Sequence, residues 1–236
     1  MLILGLDTSA QAASVALCTE ERILAVGSVN VKLTHSQTLL PLCKALLDSA
    51  RLTLTDVDAF AVSAGPGSFT GLRIGISAVK GFAHALNKPC VPVSTLEALA
   101  ENLRGLYGVV CAVMDARCKQ VYNALFRADA DGLHRLCADR AVTLEALSGE
   151  LALYAAAGER ILLVGDGAEL TATAIPGTEL APLPLRLQSA TSVCAVAFRG
   201  QAVDAASLMP SYLRIPQAER ERDARLRAEA SAPDGG

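Results

Sequence analysis

Two stretches of the chain repeat one alternation of apolar and polar positions. LDTSAQAASVAL, at residues 6–17, and MDARCKQVYNAL, at residues 114–125, each place an aspartate at the end of an apolar run. Each continues through a polar turn into an alternating strand that ends in Ala-Leu. After Asp7 the pattern predicts strands near 12–18 and 23–29, a helix within 36–50, a strand over 59–63, a Gly-Pro-Gly turn and a second helix. After Asp115 it predicts strands near 120–127 and 133–137, a helix over 143–157, a strand over 161–164 ending in Gly-Asp-Gly, and a late helix near 189–200. Both halves read βββαβα. A duplicated unit of this kind predicts an α/β protein of two lobes with mixed sheets and a cleft between them. The lobes are expected at 1–106 and 107–215. Residues 216–236 lose their apolar positions and mix both charge signs, which predicts a frayed or disordered tail with no catalytic role.

Composition narrows the function classes. With 236 residues, 52% of them hydrophobic, the chain can bury a substantial core. A formal net charge of -3 supplies no global basic field, so nucleic acid would have to be reached through a partner or a local patch. The seven cysteines form no CxxC pair and sit mostly in apolar runs, as reduced thiols of a cytoplasmic protein would. The opening MLILGLDTSA reads as a first strand rather than a signal peptide, and no run reaches the ~18 apolar residues of a membrane span.

The segment SAGPGSFTGLRIGISAVKGFAHAL, residues 63–86, raises the sharpest chemical question. Gly65 and Gly67 flank Pro66, and Ser68 or Thr70 can cap the following helix, leaving amides that could receive an anion. The spacing is not that of a GxxxxGK[ST] loop, and Lys80 lies far into the helix, so a tight chain reversal is the competing reading. Within the helix, Gly71, Gly75, Ala78, Gly81 and Ala85 recur at three- and four-residue steps and give a face almost without side chains. Each interior glycine costs a helix about 1 kcal/mol relative to alanine, so close approach of another backbone is expected, from this chain's own sheet or from another chain. In the preceding HSQTLLPLCKALLDSA, the apolar positions Leu39, Leu40, Leu42, Cys43, Leu46, Leu47 and Ala50 spread over roughly 160°, beyond the ~100° stripe that covers one core. Such a helix either buries two sides, one against a partner, or lies deep in a monomer. Thr38 is the expected N-cap, which puts Pro41 in the first turn.

Asp7 ends the first strand where a two-lobed protein has its cleft, so its carboxylate is a candidate to hold magnesium or orient a water, with a turn or cap role as the alternative. Asp115, followed by Arg117, is the symmetric candidate. His35, His84 and His134 make no HxxxH or HExxH spacing, and no GxSxG elbow occurs.

In order and spacing, LGLDTSAQAASVAL, HSQTLLPLCKALL, SAGPGSFTGLRIGISAVKGFAHAL with PVSTLEALA, MDARCKQVYNALF and PSYLR resemble the bacterial TsaB (YeaZ) family over residues 1–215, GPGSFTGLR being the most specific part. The resemblance implies the RNase H-like, actin-like (ASKHA) fold. It implies a non-catalytic accessory subunit of the machinery that forms N6-threonylcarbamoyladenosine next to the anticodon of tRNAs reading ANN codons. The implied partners are a TsaD-like catalytic paralogue, which this subunit binds and activates, a TsaE-like ATPase, and tRNA through the complex, with a homodimer when the paralogue is absent. The implied partner surface is Leu39, Leu40, Cys43, Leu46, Leu47, Gly71, Leu72, Ile74, Gly75 and Ala78. Thr95 and Leu99 stand where TsaD-like chains carry HxxxH, so no metal is expected. No tightly bound cofactor is expected, ATP or ADP entering only at a site shared within the complex. Vestigial phosphate contacts would come from Asp7, Thr8, Ser9, Gly65, Gly67 and Ser68. Two other readings remain: an ATPase or kinase using Asp7, the glycine turn and Gly165-Asp166-Gly167, and a peptidase, against which the missing HxxxH and nucleophile motifs weigh.

Overall fold

The computed structural model describes residues 1–214, and the charged tail at 216–236 lies outside the described residues. The first half runs β1 (Ile3–Asp7), β2 (Ala13–Cys18), β3 (Ile23–Val29), α1 (His35–Ala50), β4 (Ala59–Gly65), α2 (Phe69–Leu86), β5 (Cys90–Ser94) and α3 (Thr95–Glu101). The second runs β6 (Gly108–Asp115), β7 (Gln120–Asp129), β8 (Gly132–Arg135), β9 (Arg140–Thr143), α4 (Leu144–Ala156), β10 (Ile161–Val164), α5 (Ala168–Ala174), β11 (Glu179–Leu180) and α6 (Ala190–Ala197). The first half therefore extends the expected βββαβα by a further strand and helix, and the second by two strands, β9 and β11, and a helix.

The two sheets repeat one topology. The first has the order β3-β2-β1-β4-β5 and the second β11-β10-β6-β7-β8, with β9 also paired to β7. In each, the first strand lies centrally between an antiparallel hairpin partner and a parallel strand: β1 between β2 and β4, β6 between β7 and β10. This mixed order, occurring twice, is the RNase H-like unit of the actin-like superfamily. Its central strands read as continuous apolar runs because both faces are covered.

The period of two in β1 assigns its side chains to different layers. Leu4 and Leu6 join Leu39, Cys43, Phe60, Val62, Ile76 and Val79 under α1 and α2. Ile3 joins Ala16, Ala61 and Val91 against Val193 and Cys194 of α6. In the second lobe α4 and α5 cover one face, while Leu96 and Leu99 of α3, with Leu103 in the turn after it, cover the other on Val110, Ala112 and Met114. The last helix of each half thus serves the other half's sheet. The chain after α6 first returns to the first lobe, where Val203 bridges Cys90 and Leu208 is fully buried.

Two expectations need correction. Helix α1 starts a turn earlier than a Thr38 cap allows: Thr34 is the N-cap, and the His35 ring is 2.7 Å from the Ala10 carbonyl oxygen. Pro41 accordingly sits inside the helix, on its exposed side, where its missing N–H breaks one rung of the ladder. The helix following Gly165-Asp166-Gly167 is α5, counterpart of α2; its seven residues bury only Ala168 and Thr171. All seven cysteines are free thiols, Cys118 alone being exposed. Among the described residues no helix is long and apolar enough to cross a membrane.

Candidate functional site

The C-terminal ends of β1, β4, β6 and β10 converge on a cleft of ≈ 640 Å³ between the lobes. Its walls include Ser9, Ser68 and Thr70 from the first lobe, Asp115, Arg117 and Asp166 from the second, and residues 211–214.

Asp7 is fully buried beneath this cleft instead of facing into it. Its Oδ1 accepts from the Ser9 amide at 2.9 Å and the Ser9 hydroxyl at 2.7 Å, and its Oδ2 accepts from the Ser63 hydroxyl. Burial pushes its carboxyl above the usual range against the opposing pull of these donors. Both oxygens are thus engaged internally, and none of the carboxylate surface reaches the cleft. Asp115 is exposed and closes a turn by accepting from the Arg117 amide at 2.7 Å. Asp166 opens to the cleft, but loss of solvation raises its carboxyl, the neighbouring Asp115 and Asp7 adding to the shift, while Gln188 donates to it at 2.9 Å. Among the described residues no group of three or more His, Cys, Asp or Glu could hold a metal ion.

The glycine turn is filled by its own chain. Ser68 donates its amide to the Ser9 carbonyl at 2.6 Å, Thr8 Oγ1 donates to the Gly71 carbonyl at 2.7 Å, and Ser68, not Thr70, caps α2 by accepting from the Gly71 amide. A β-carbon at Gly67 would come within 2.5 Å of the Ser9 carbonyl, at Gly71 within 2.0 Å of the Thr8 carbonyl, and at Gly75 within 2.4 Å of Thr8 Oγ1. Gly65, at φ +132°, lies under the Ser211 carbonyl. The small face of α2 is therefore turned inward, onto the β1–β2 turn. That corrects the reading in which Gly71 and Gly75 receive a helix of another chain: the close approach they permit is to Thr8.

The same inward turn sorts the expected partner surface. Leu39, Cys43, Leu46, Leu47 and Leu72 are buried in the first lobe's own core. Leu40 is 52% exposed, and with Ile74 and Ala78 it lines a groove of ≈ 580 Å³ on the outer side of α1 and α2. Ser36, Thr70 and the floor residue Leu39 line the groove too, and so do His35, Phe69, Arg73 and Ser77. Sequence reasoning missed all of these but Leu39, although Thr70, Ile74, Ser77 and Ala78 share a helical face at steps that could have found it.

Thr95 and Leu99 lie on α3 and are buried at the lobe junction, where Leu99 packs with Ala112 and Met114. A hydroxyl and an isobutyl group cannot take the place of two imidazoles, so a zinc-type site does not fit them. Ser94, the residue before α3, donates to Asp139 at 2.5 Å, and Arg135 bonds Glu97 and Asp139, so the β8–β9 connection lies over this end of the helix.

A relative from Bacillus subtilis, described as tRNA threonylcarbamoyladenosine biosynthesis protein TsaB, is 32% identical over 225 residues, 93% of this chain and 96% of its own. The chain belongs to the TsaB (YeaZ) family. TsaB of Escherichia coli is 38% identical over 140 residues, 56% of this chain and 58% of its own. The solved structure of YeaZ from Pseudomonas aeruginosa matches with a TM-score of 0.75 at 30% identity, over 90% of this chain and 99% of that one. The model for TsaD, tRNA N6-adenosine threonylcarbamoyltransferase, matches residues 30–220, so this TsaB-family chain shares most of its length with that family as well.

Proposed function

We propose that this chain is a non-catalytic subunit of the machinery that forms threonylcarbamoyladenosine on tRNA, binding and activating a TsaD-like paralogue and acting with a TsaE-like ATPase. The observation that carries the reading is the outer face of α1 and α2, where Leu40, Ile74 and Ala78 border an open apolar groove while their neighbours in the helices are committed to the core. Two antiparallel helices of a paralogue can pack on such a face as a bundle, with Leu40 as a central anchor and Arg73 at the rim. A second copy of this chain can use the same face when the paralogue is absent. Support for a non-catalytic role comes from Asp7, whose oxygens are both engaged internally. With a net charge of -3, contact with tRNA falls to the complex. ATP or ADP enters at a site that the subunits share.

The experiment is threonylcarbamoyl transfer to tRNA, reconstituted from the cognate partners with and without this chain. The expected result is loss of modification on omission and no activity from the chain alone. Undiminished modification without it would overturn the proposal.

One observation favours a second reading. Arg117, Arg214 and the Ser68 hydroxyl all line the cleft, together with the carboxylates Asp115 and Asp166, and the two guanidinium groups could receive an anion. Saturable binding of ATP by the isolated chain would support it; absence of binding would leave the docking role alone.

A further inference from the structure

We infer that residues 211–214 form a clasp across the mouth of the cleft that ties the spacing of the two lobes to the shape of the α1–α2 groove. On the first lobe, the Ser211 amide donates to the Ala64 carbonyl at 2.7 Å, and its own carbonyl rests on the bare α-carbon of Gly65. The Tyr212 ring lies 4.9 Å from that of Phe69 at an interplanar angle of 33°, and its hydroxyl accepts from Arg73 Nε at 3.1 Å. The Arg73 guanidinium sits 3.7 Å above the same Phe69 ring. On the second lobe, Arg214 donates to the Ala116 carbonyl at 2.6 Å.

The two ends of the clasp meet different kinds of structure. Ala116 opens a turn in which Arg117, Cys118 and Lys119 have φ of 60°, 54° and 58°, three consecutive non-glycine residues in the left-handed region. Each carries a cost of about 1–2 kcal/mol, so the turn keeps that form only while its surroundings hold it. At the other end, Phe69 belongs to two surfaces at once: it lines the cleft and it lines the groove of Leu40 and Ile74. Arg73 lines that groove as well. His35, also in the groove, is bonded to the carbonyl of Ala10, a residue of the cleft wall. A change in lobe spacing therefore pulls on Arg214, moves Tyr212, and disturbs the Phe69–Arg73 stack from which one end of the groove is built. Occupation of the groove does the reverse.

That the groove docks a paralogue rests on the function proposed above; the mechanical link between turn and groove does not. Hydrogen–deuterium exchange on the full chain separates them. In Arg214→Ala, exchange should rise at least tenfold in residues 114–119 and also at 69–74, with α4 at its wild-type rate as the check that the fold is intact. Tyr212→Phe, which keeps the ring and loses the bond from Arg73, should loosen 69–74 without Arg214 being touched. Faster exchange at 114–119 with 69–74 unchanged in Arg214→Ala would overturn the clasp. Affinity for the TsaD-like paralogue, measured on the same samples, is expected to fall at least fivefold in Arg214→Ala. Absence of any binding by the wild type would instead refute the docking role while the exchange result continued to decide the clasp.

Discussion

Gly71 on α2 and Thr8 in the β1–β2 turn approach so closely that a β-carbon at position 71 would lie 2.0 Å from the Thr8 carbonyl oxygen. The contact locks the helix following the glycine turn onto the hairpin, and Thr8 Oγ1 reinforces it by donating to the Gly71 carbonyl at 2.7 Å. Gly71→Ala should therefore destabilise the protein by about 2–3 kcal/mol, because backbone on both sides must shift. Gly81, in the same helix, has nothing among the described residues within 4 Å of its would-be β-carbon. There alanine should stabilise by about 0.5–1 kcal/mol through helix propensity. Denaturant unfolding of both variants checks the pair, and equal effects would contradict the packing.

Asp7 predicts a pH dependence. Its folded pKa is raised above the ordinary 3.8 by burial, so the folded protein keeps a proton there that the unfolded chain has already released. The fold holds this advantage at low pH and loses it as the pH climbs from about 3.8 through the folded pKa, with a slope of at most about 1.4 kcal/mol per pH unit. Asp166 is shifted in the same direction and contributes a parallel slope. Asp7→Asn should flatten the profile by its own share, measured by urea unfolding across pH 4–7. A profile as steep as that of the wild type would assign the slope to other groups.

In α1, two neighbouring leucines on different sides of the helix should behave oppositely. Leu40→Asp, at a half-exposed position, should change stability by no more than about 0.5 kcal/mol and weaken binding to the TsaD-like paralogue about 30-fold or more. Leu39→Asp, at a position 1% exposed, should prevent folding, since it puts a charge into the core. Calorimetric titration with circular dichroism as a fold check distinguishes them.

Thr95 carries a buried hydroxyl with no hydrogen-bond partner among the described residues. Thr95→Val keeps the shape and removes the unsatisfied group, so it should stabilise by about 1 kcal/mol, read as a rise in Tm. A loss of stability would show that the hydroxyl is satisfied in solution.

Strands β1, β2 and β10 were legible in sequence because they run continuously apolar between turns, whereas β9 and β11, four and two residues long with no fully buried position, leave no pattern to read and were not predicted. The repeat of Asp7 and Asp115 at corresponding strand ends exposed the duplication. Helix α5 was not legible, since seven residues with two buried positions leave no stripe to detect. Small residues at three- and four-residue steps in α2 announced close packing, but a period says nothing about which neighbour fills the space. Thr8, more than 60 positions away, decides it by reaching the Gly71 carbonyl. The wide apolar arc of α1 was ambiguous for the same reason: Leu39 and Leu40 are equally apolar in sequence, and only tertiary packing separates the core residue from the exposed one. Asp7 read as a cleft carboxylate because strand ends face the cleft, yet Ser9, in the turn after β1, and Ser63, on β4, enclose it.

The exchange of α3 and α6 between lobes sets a timetable for synthesis. The first sheet is complete by Ser94, but most of one of its faces, apart from the part that Ala98 of α3 covers, stays uncovered until Ala190–Ala197 has left the ribosome. At ~5–20 residues per second, the nascent chain carries that uncovered surface for about 5–20 s, which makes it a natural client for a chaperone during translation. A truncated product ending before α6 would keep the surface permanently, so premature termination should yield aggregates instead of an independently folded first lobe.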